Sequence, residues 1–333
     1  MSTLDGWDGW DGWDGWSGDG GSTDRGPGQA PAALARSREA LVYGEPPACL
    51  APPPGWPGAA SDDGLRHLAP RVRQQVIVMD LLQGLSLVRH ASPFAVLLRC
   101  GRRELHRMAA PGSQDFDRQL AEVELAADQR PERGAEISAQ LRYSPVFWAN
   151  ILPISPRRTP HTLELMQVVV QLGSLVVQRC KAMFNLPRPH QYTPRIQPMV
   201  ATPGFSTFPS GHATEAALLH HVLLALVSQA QISRAKGGAL PAEAQAWITT
   251  VQPMLAALAD RIAENREVAG LHFRVDSQAG KGLAQALFSH HLQPQSQRKP
   301  RPDNPAFGTE TFAWLWRQAA CEWGAPAPRR GPP

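Results

Sequence analysis

The chain has 333 residues, with 33 Lys+Arg against 29 Asp+Glu for a formal net charge of +4, 43% apolar and 19% charged. That balance excludes a wholly disordered chain and allows one large domain or two modest ones. Nucleic acid is not expected as a partner, because no basic run carries interleaved aromatics. A transmembrane segment is not expected either, because no uninterrupted apolar run reaches about 18 residues.

Residues 1–34 stand apart. Asp-Gly-Trp occurs four times in tandem between Asp5 and Trp16, followed by a Gly/Ser/Asp/Pro stretch. Glycine at every third position costs too much backbone entropy for a stable helix or strand, so a disordered tail is expected. Residues 35–70 form an irregular Pro/Gly-rich lead-in. From Arg71 the pattern is helical. Val76, Val78, Met79, Leu82 and Leu85 share a face, and Phe94, Val96, Leu97 and Leu98 open another apolar segment that ends near Gly101. Residues 116–141 have helical spacing around a break at Pro131 and Gly134. Residues 163–184, 214–230 and 278–291 read as helices, and 242–267 as one helix or two. Period-2 alternation is nearly absent, so the fold class is all-α, with a helical catalytic domain over 71–292. Residues 293–333 hold a Pro-rich loop and a short terminal helix near 312–321. No basic region followed by an apolar stretch marks a signal sequence. The cysteines Cys49, Cys100, Cys180 and Cys321 are scattered and never form C-x-x-C. They read as free thiols in a reducing compartment, so a cytoplasmic location is expected.

Three short stretches carry chemistry. In the first, Lys181 lies near the end of a long helix, and Arg188 is held between Pro187 and Pro189. Pro187 biases Leu186 away from helical dihedrals and should stop the helix. In the second, Pro209-Ser210-Gly211-His212 opens an apolar helix. Ser210 is a natural N-cap, Gly211 leaves first-turn amides open to an anion, and His212 sits beside them. In the third, Arg266 falls on the stripe of Leu258 and Ile262, where a guanidinium needs an anionic partner. Gly270 ends that helix. Asp276 stands four residues after His272, placed to fix its tautomer and leave one ring nitrogen free. Each stretch alone has a plain structural explanation: a cation complementing a helix dipole, a capped helix with a surface histidine, a core Arg paired to a Glu. Together they make a set able to bind a tetrahedral oxyanion, attack it with one imidazole and protonate a leaving oxygen with the other.

The arrangement K-x6-R-P, P-S-G-H, N-R-x5-H-x3-D resembles the superfamily of type 2 phosphatidic acid phosphatases and vanadium-dependent haloperoxidases. The resemblance spans Lys181–Asp276, and the helical pattern carries it to about Leu292. It implies an all-helical bundle in which Lys181, Arg188 and Arg266 hold the oxygens of phosphate or vanadate, with Ser210 and the Gly211 amide adding hydrogen bonds. His272 is then the nucleophile or the single protein ligand of vanadium, His212 the general acid/base, and Asp276 the residue that orients His272. Asn265 before Arg266, Phe205 seven residues before His212 and the sequence His272-Phe-Arg-Val-Asp276 look like the haloperoxidase branch, whereas Gln178 departs from it. The expected function is vanadate-dependent oxidation of halide by hydrogen peroxide. The alternative enzyme is an acid phosphatase hydrolysing a small phosphoester through a phosphohistidine, and a non-catalytic helical scaffold with a Trp-rich tail is the non-enzyme alternative. An oligomer is compatible with the sequence, and the remaining histidines read as structural or surface groups.

Overall fold

The structure is a computed structural model that describes residues 64–90, 94–112, 116–235, 240–293 and 309–325. The Asp-Gly-Trp tail, residues 35–63 of the lead-in, and residues 294–308 and 326–333 of the C-terminal segment lie outside the described residues. The described residues fall in two units, divided between Leu68 and Ala69. The first contributes one helical turn, Gly64–His67. The second begins at Ala69 and carries the other described elements.

The frame of this second unit is built from long helices. Helix α1 is Pro70–Leu82, α2 Phe116–Ala126, α3 Arg130–Ala139, α4 Pro160–Phe184, α5 Gly211–Arg234, α6 Ala242–Val268, α7 Arg274–Leu287 and α8 Glu310–Glu322. Helix α5 packs against α4, α6 and α7 at once. That placement explains its sequence, because a helix covered on several sides has no need of a polar face. Leu218, Leu219, Val222, Leu223, Leu226 and Val227 are all buried. By length and composition α5 is also long and apolar enough to cross a membrane, an 18-residue stretch within Gly211–Ser233 having a mean hydropathy of 1.3. His220 and His221 interrupt its apolar run, and a helix covered by neighbouring helices in a bundle core meets the same criterion.

Local chemistry sets the helix ends. Helix α4 begins beneath the last turn of α8, where Glu322 accepts from the His161 and Thr162 amides at 2.7 and 2.8 Å. A carboxylate there satisfies amides the helix cannot. Arg73 of α1 pairs with Glu164 of α4 at 2.7 and 2.6 Å, both buried. Helix α6 ends in a Schellman turn. Gly270 takes φ 75°, its amide reaches the Glu267 carbonyl at 2.8 Å, and the Leu271 amide reaches the Arg266 carbonyl at 3.0 Å. Glycine adopts that left-handed backbone at least cost. Pro253 lies inside α6 without dividing it.

Residues 85–109 depart from the all-helical expectation. They form an antiparallel meander of β1 (Leu85–His90), β2 (Ala95–Cys100) and β3 (Arg103–Ala109), turning at Gly101 with φ 57°. The central strand carries an apolar run, Ala95–Leu98, that is buried throughout. A strand covered on both faces does not alternate, so periodicity alone cannot separate it from a helix. Helix α1 also buries a different face from the one expected. Arg73, Gln74, Ile77, Val78 and Leu81 are inside, while Met79 is 66% exposed. Pro131 starts α3 rather than breaking a helix, and Gly134 lies within it. Cys100, Cys180 and Cys321 are free thiols; Cys49 is outside the described residues.

Candidate active site

The site gathers at the end of the bundle where α4 and α6 finish and α5 and α7 begin. Lys181 occupies the last turn of α4, which stops at Asn185 in a left-handed conformation (φ 50°). Its buried Nζ donates to the Ser206 and Thr207 carbonyls at 2.7 and 2.9 Å, leaving one proton unspent. Burial, with the Arg188 guanidinium next in weight, lowers this lysine to about 7.

Arg188 follows in extended backbone between its two prolines. Nε donates to the Phe205 carbonyl at 3.1 Å and Nη1 to the Leu271 carbonyl at 3.0 Å, while Nη2 is buried with no partner. Arg266, fully buried near the end of α6, has the same character. Nη2 reaches the Ile137 carbonyl at 3.2 Å, but Nε and Nη1 have no partner. Burial lowers both arginines to about 10. Buried donors without acceptors are costly. Three such N–H-bearing atoms on two guanidinium groups therefore mark a place that an acceptor would stabilise.

Ser210 caps α5 as its sequence position predicts, its Oγ accepting from the Ala213 amide at 3.4 Å. Its own amide donates to the Asp276 carbonyl at 3.0 Å, which ties the second stretch to the third. Gly211 follows at the first helical position. His212 directs Nε2 at the Gln140 carbonyl, 3.0 Å away. A carbonyl only accepts, so this contact assigns the proton to Nε2 and leaves Nδ1 with the lone pair. Burial, then the Arg266 cation, lowers His212 to about 3.

His272 and Asp276 meet as their spacing predicts, with Nδ1 and Oδ2 3.1 Å apart and both residues buried. The same Oδ2 accepts from the Phe273 amide at 2.9 Å and from the Thr207 hydroxyl in a short contact. Asp276 thus caps α7 and orients His272 with one oxygen. Burial lowers His272 to about 4 despite Asp276. The imidazole is therefore neutral at ordinary pH, with Nε2 as the nitrogen not committed to Asp276.

Every residue expected from the sequence lies in this region. Two residues of the site were missed. Thr207 touches both Asp276 and His272 Nδ1, the latter at 3.1 Å; its place just before the Pro209-Ser210-Gly211-His212 stretch was the available signal. Gln140, at the end of α3, offers its carbonyl to His212 and its Oε1 to Asn265 Nδ2 at 2.8 Å. It stands far from both in sequence, and nothing in its neighbours marks it. Phe205, expected to shape the pocket, lies 5.2 Å from Lys181 Nζ and 5.3 Å from the Arg188 guanidinium carbon, measured to its ring centre.

The molecule is thus a helical bundle with cations, a helix N-terminus and two histidines at one end. Residues 165–304 match the PAP2 superfamily, and the chain carries a domain of that superfamily. No curated protein matches the chain. Among solved structures it is similar to a transmembrane PAP2-type phosphatidylglycerolphosphate phosphatase from Bacillus subtilis. The identity is 17%, the match covers 66% of this chain and 92% of that one, and the TM-score is 0.41. A likeness of that size carries no argument about the reaction.

Proposed function

We propose that the chain hydrolyses phosphoesters through a phosphohistidine at His272. The observation that carries this reading is the unpartnered buried N–H groups of Arg188 and Arg266 in a site that also holds a neutral, oriented histidine. A phosphoryl group supplies the acceptor oxygens those donors lack. Lys181, Arg188 and Arg266 hold its oxygens, and the Ser210 hydroxyl and Gly211 amide add hydrogen bonds. His272 Nε2 forms a bond to phosphorus as the bond to the leaving oxygen breaks. Protonated His212 gives that oxygen its Nδ1 proton. Nδ1 then takes a proton from water, whose oxygen attacks phosphorus, releasing inorganic phosphate and restoring His272. Asp276 stabilises the charge that develops on His272 through Nδ1.

The same donors fit vanadate, and Phe205 favours it as a second reading, because an aromatic wall over Lys181 and Arg188 would help strip water from a halide. Vanadate held there, with His272 as its protein ligand, would supply Lewis-acid activation of hydrogen peroxide. One comparison tests the two. The protein without additives is assayed on a small phosphoester, and with vanadate and peroxide on bromide. Hydrolysis that vanadate inhibits, and that His272→Ala abolishes, supports the phosphatase. Peroxide-dependent bromination suppressed by phosphate, with no ester hydrolysis, overturns it in favour of the oxidase.

A further inference from the structure

A second ionisable group stands beside His212 and has no part in that hydrolytic scheme. Glu215 lies three residues after His212 on α5, so the two side chains share a face, and both line one cavity of about 40 Å³. Gln140, Tyr143 and Trp148 form further walls, and the lining reaches the surface at exposed Arg142. The Tyr143 hydroxyl is buried with no partner. A water needs about 15 Å³ and two or more polar partners; the cavity has that room, and Tyr143, Glu215 and His212 provide the partners.

The surrounding charges are unequal. Lys181 and Ser174 of α4 face Glu215, as does Tyr143 from the loop after α3. Arg266 of α6, Lys181 and His272 face His212. Burial raises the Glu215 carboxyl to about 7, against the pull of Lys181. His212 is held down to about 3, by burial first and then by the Arg266 cation. Without an anion the proton therefore resides on Glu215, and His212 is neutral, which is the wrong state for an acid.

We infer that Glu215 and His212 share one proton across this cavity, and that the negative charge of a bound phosphoryl group draws it from Glu215 onto His212. The inference rests on the phosphatase reading and adds the source of its acid. The O–H bond of the Glu215 carboxyl breaks, a water passes the proton on, and an N–H bond forms at His212 Nδ1. Glu215 is left as a carboxylate beside the Lys181 ammonium, so no charge is stranded. Glu215 never touches substrate; it is a positioning residue for the proton.

The test is Glu215→Gln, which keeps the shape and removes the proton. Its turnover loss should be at least about tenfold greater on an alkyl phosphate, whose alkoxide needs an acid, than on a nitrophenyl phosphate, whose leaving group does not. The alkaline limb of the alkyl-ester pH profile should move to lower pH, because His212 must then be protonated without a carboxylate nearby. Equal losses on both esters, or a limb that stays put, would overturn the inference. A readout independent of turnover is the proton–nitrogen NMR spectrum of His212 at about pH 6 with inorganic phosphate added. Phosphate should convert His212 to imidazolium in the natural chain and not in Glu215→Gln. If that holds while neither ester is hydrolysed, the proton pair stands and the phosphatase reading falls. If phosphate leaves His212 neutral in both chains, the pair is wrong whatever the turnover.

Discussion

Gly280 is the position where the smallest substitution should do the most damage. It lies on the turn of α7 that rests on the first turn of α5. A Cβ added there would sit 2.6 Å from the Ser210 carbonyl oxygen, 2.9 Å from Thr214 Oγ1 and 3.2 Å from Ala213 Cβ. Ordinary contact begins at 3.4 Å, so α7 would have to retreat by 3.4 − 2.6 = 0.8 Å from a backbone atom that cannot rotate away. Asp276 heads the same helix, and its carbonyl accepts from the Ser210 amide. The retreat therefore separates His272 and Asp276 from Ser210, Gly211 and His212. Overpacking of this kind costs about 1–3 kcal/mol, and replacing glycine by alanine inside a helix returns about 1 kcal/mol. The net change in stability should be small. Activity should not follow it, because a displacement near 1 Å in a reacting site costs about 100-fold. Gly282, on the same helix, provides the control: its added Cβ meets nothing closer than His106 Cε1 at 3.4 Å. Gly282→Ala should gain stability and keep its turnover. Melting temperature and kcat/KM on a phosphoester, measured for both variants, decide the matter. Gly280→Ala with natural turnover would refute the close-approach reasoning.

Arg266→Met should abolish phosphate binding yet leave the melting temperature of the anion-free protein unchanged or higher, since it removes a buried cation with two unpartnered nitrogens; calorimetry and a thermal melt check it, and a large fall in melting temperature would contradict it. Asp276→Asn should lower turnover by about 10–100-fold while phosphate still binds, because it alters the orientation of His272 and leaves the cations in place. Burial and Arg188 lower Lys181 to about 7 in the folded chain. Unfolded, it titrates near its ordinary value of about 10.4, so between these values the unfolded chain binds more protons and this residue's contribution to stability rises with pH. A bound anion should restore its charge. Sulfate binding at about pH 8 should take up close to one proton, read as a dependence of the binding enthalpy on the buffer. An enthalpy equal in all buffers would show that Lys181 is already charged.

The sequence alone was enough for the local chemistry of each motif. Ser210 reads as a cap, Pro187 as a stop and Gly270 as a helix end, because those effects act within a few residues of chain. The His272–Asp276 pairing also follows from spacing, since four residues bring two side chains onto one side of a turn. The long helices were legible because an apolar face repeats in the chain as it does in space. Strand β2 was not, since its covering on both faces erases the alternation that marks a strand. Gln140 was out of reach for a different reason. Its carbonyl holds His212 and its side chain holds Asn265 only because α3 ends where α5 begins and α6 finishes, a meeting set by packing across more than 70 residues. The same holds for Gly280, whose missing side chain matters only where two helices touch. It holds too for Glu215: any helix surface tolerates a glutamate, but burial beside Lys181 and Tyr143 keeps this one protonated near neutral pH. Residue type and short spacing thus fix what a side chain can do. Burial, the distance to charges on other helices and the closeness of backbones decide what state it is in, and these exist only once the chain has packed.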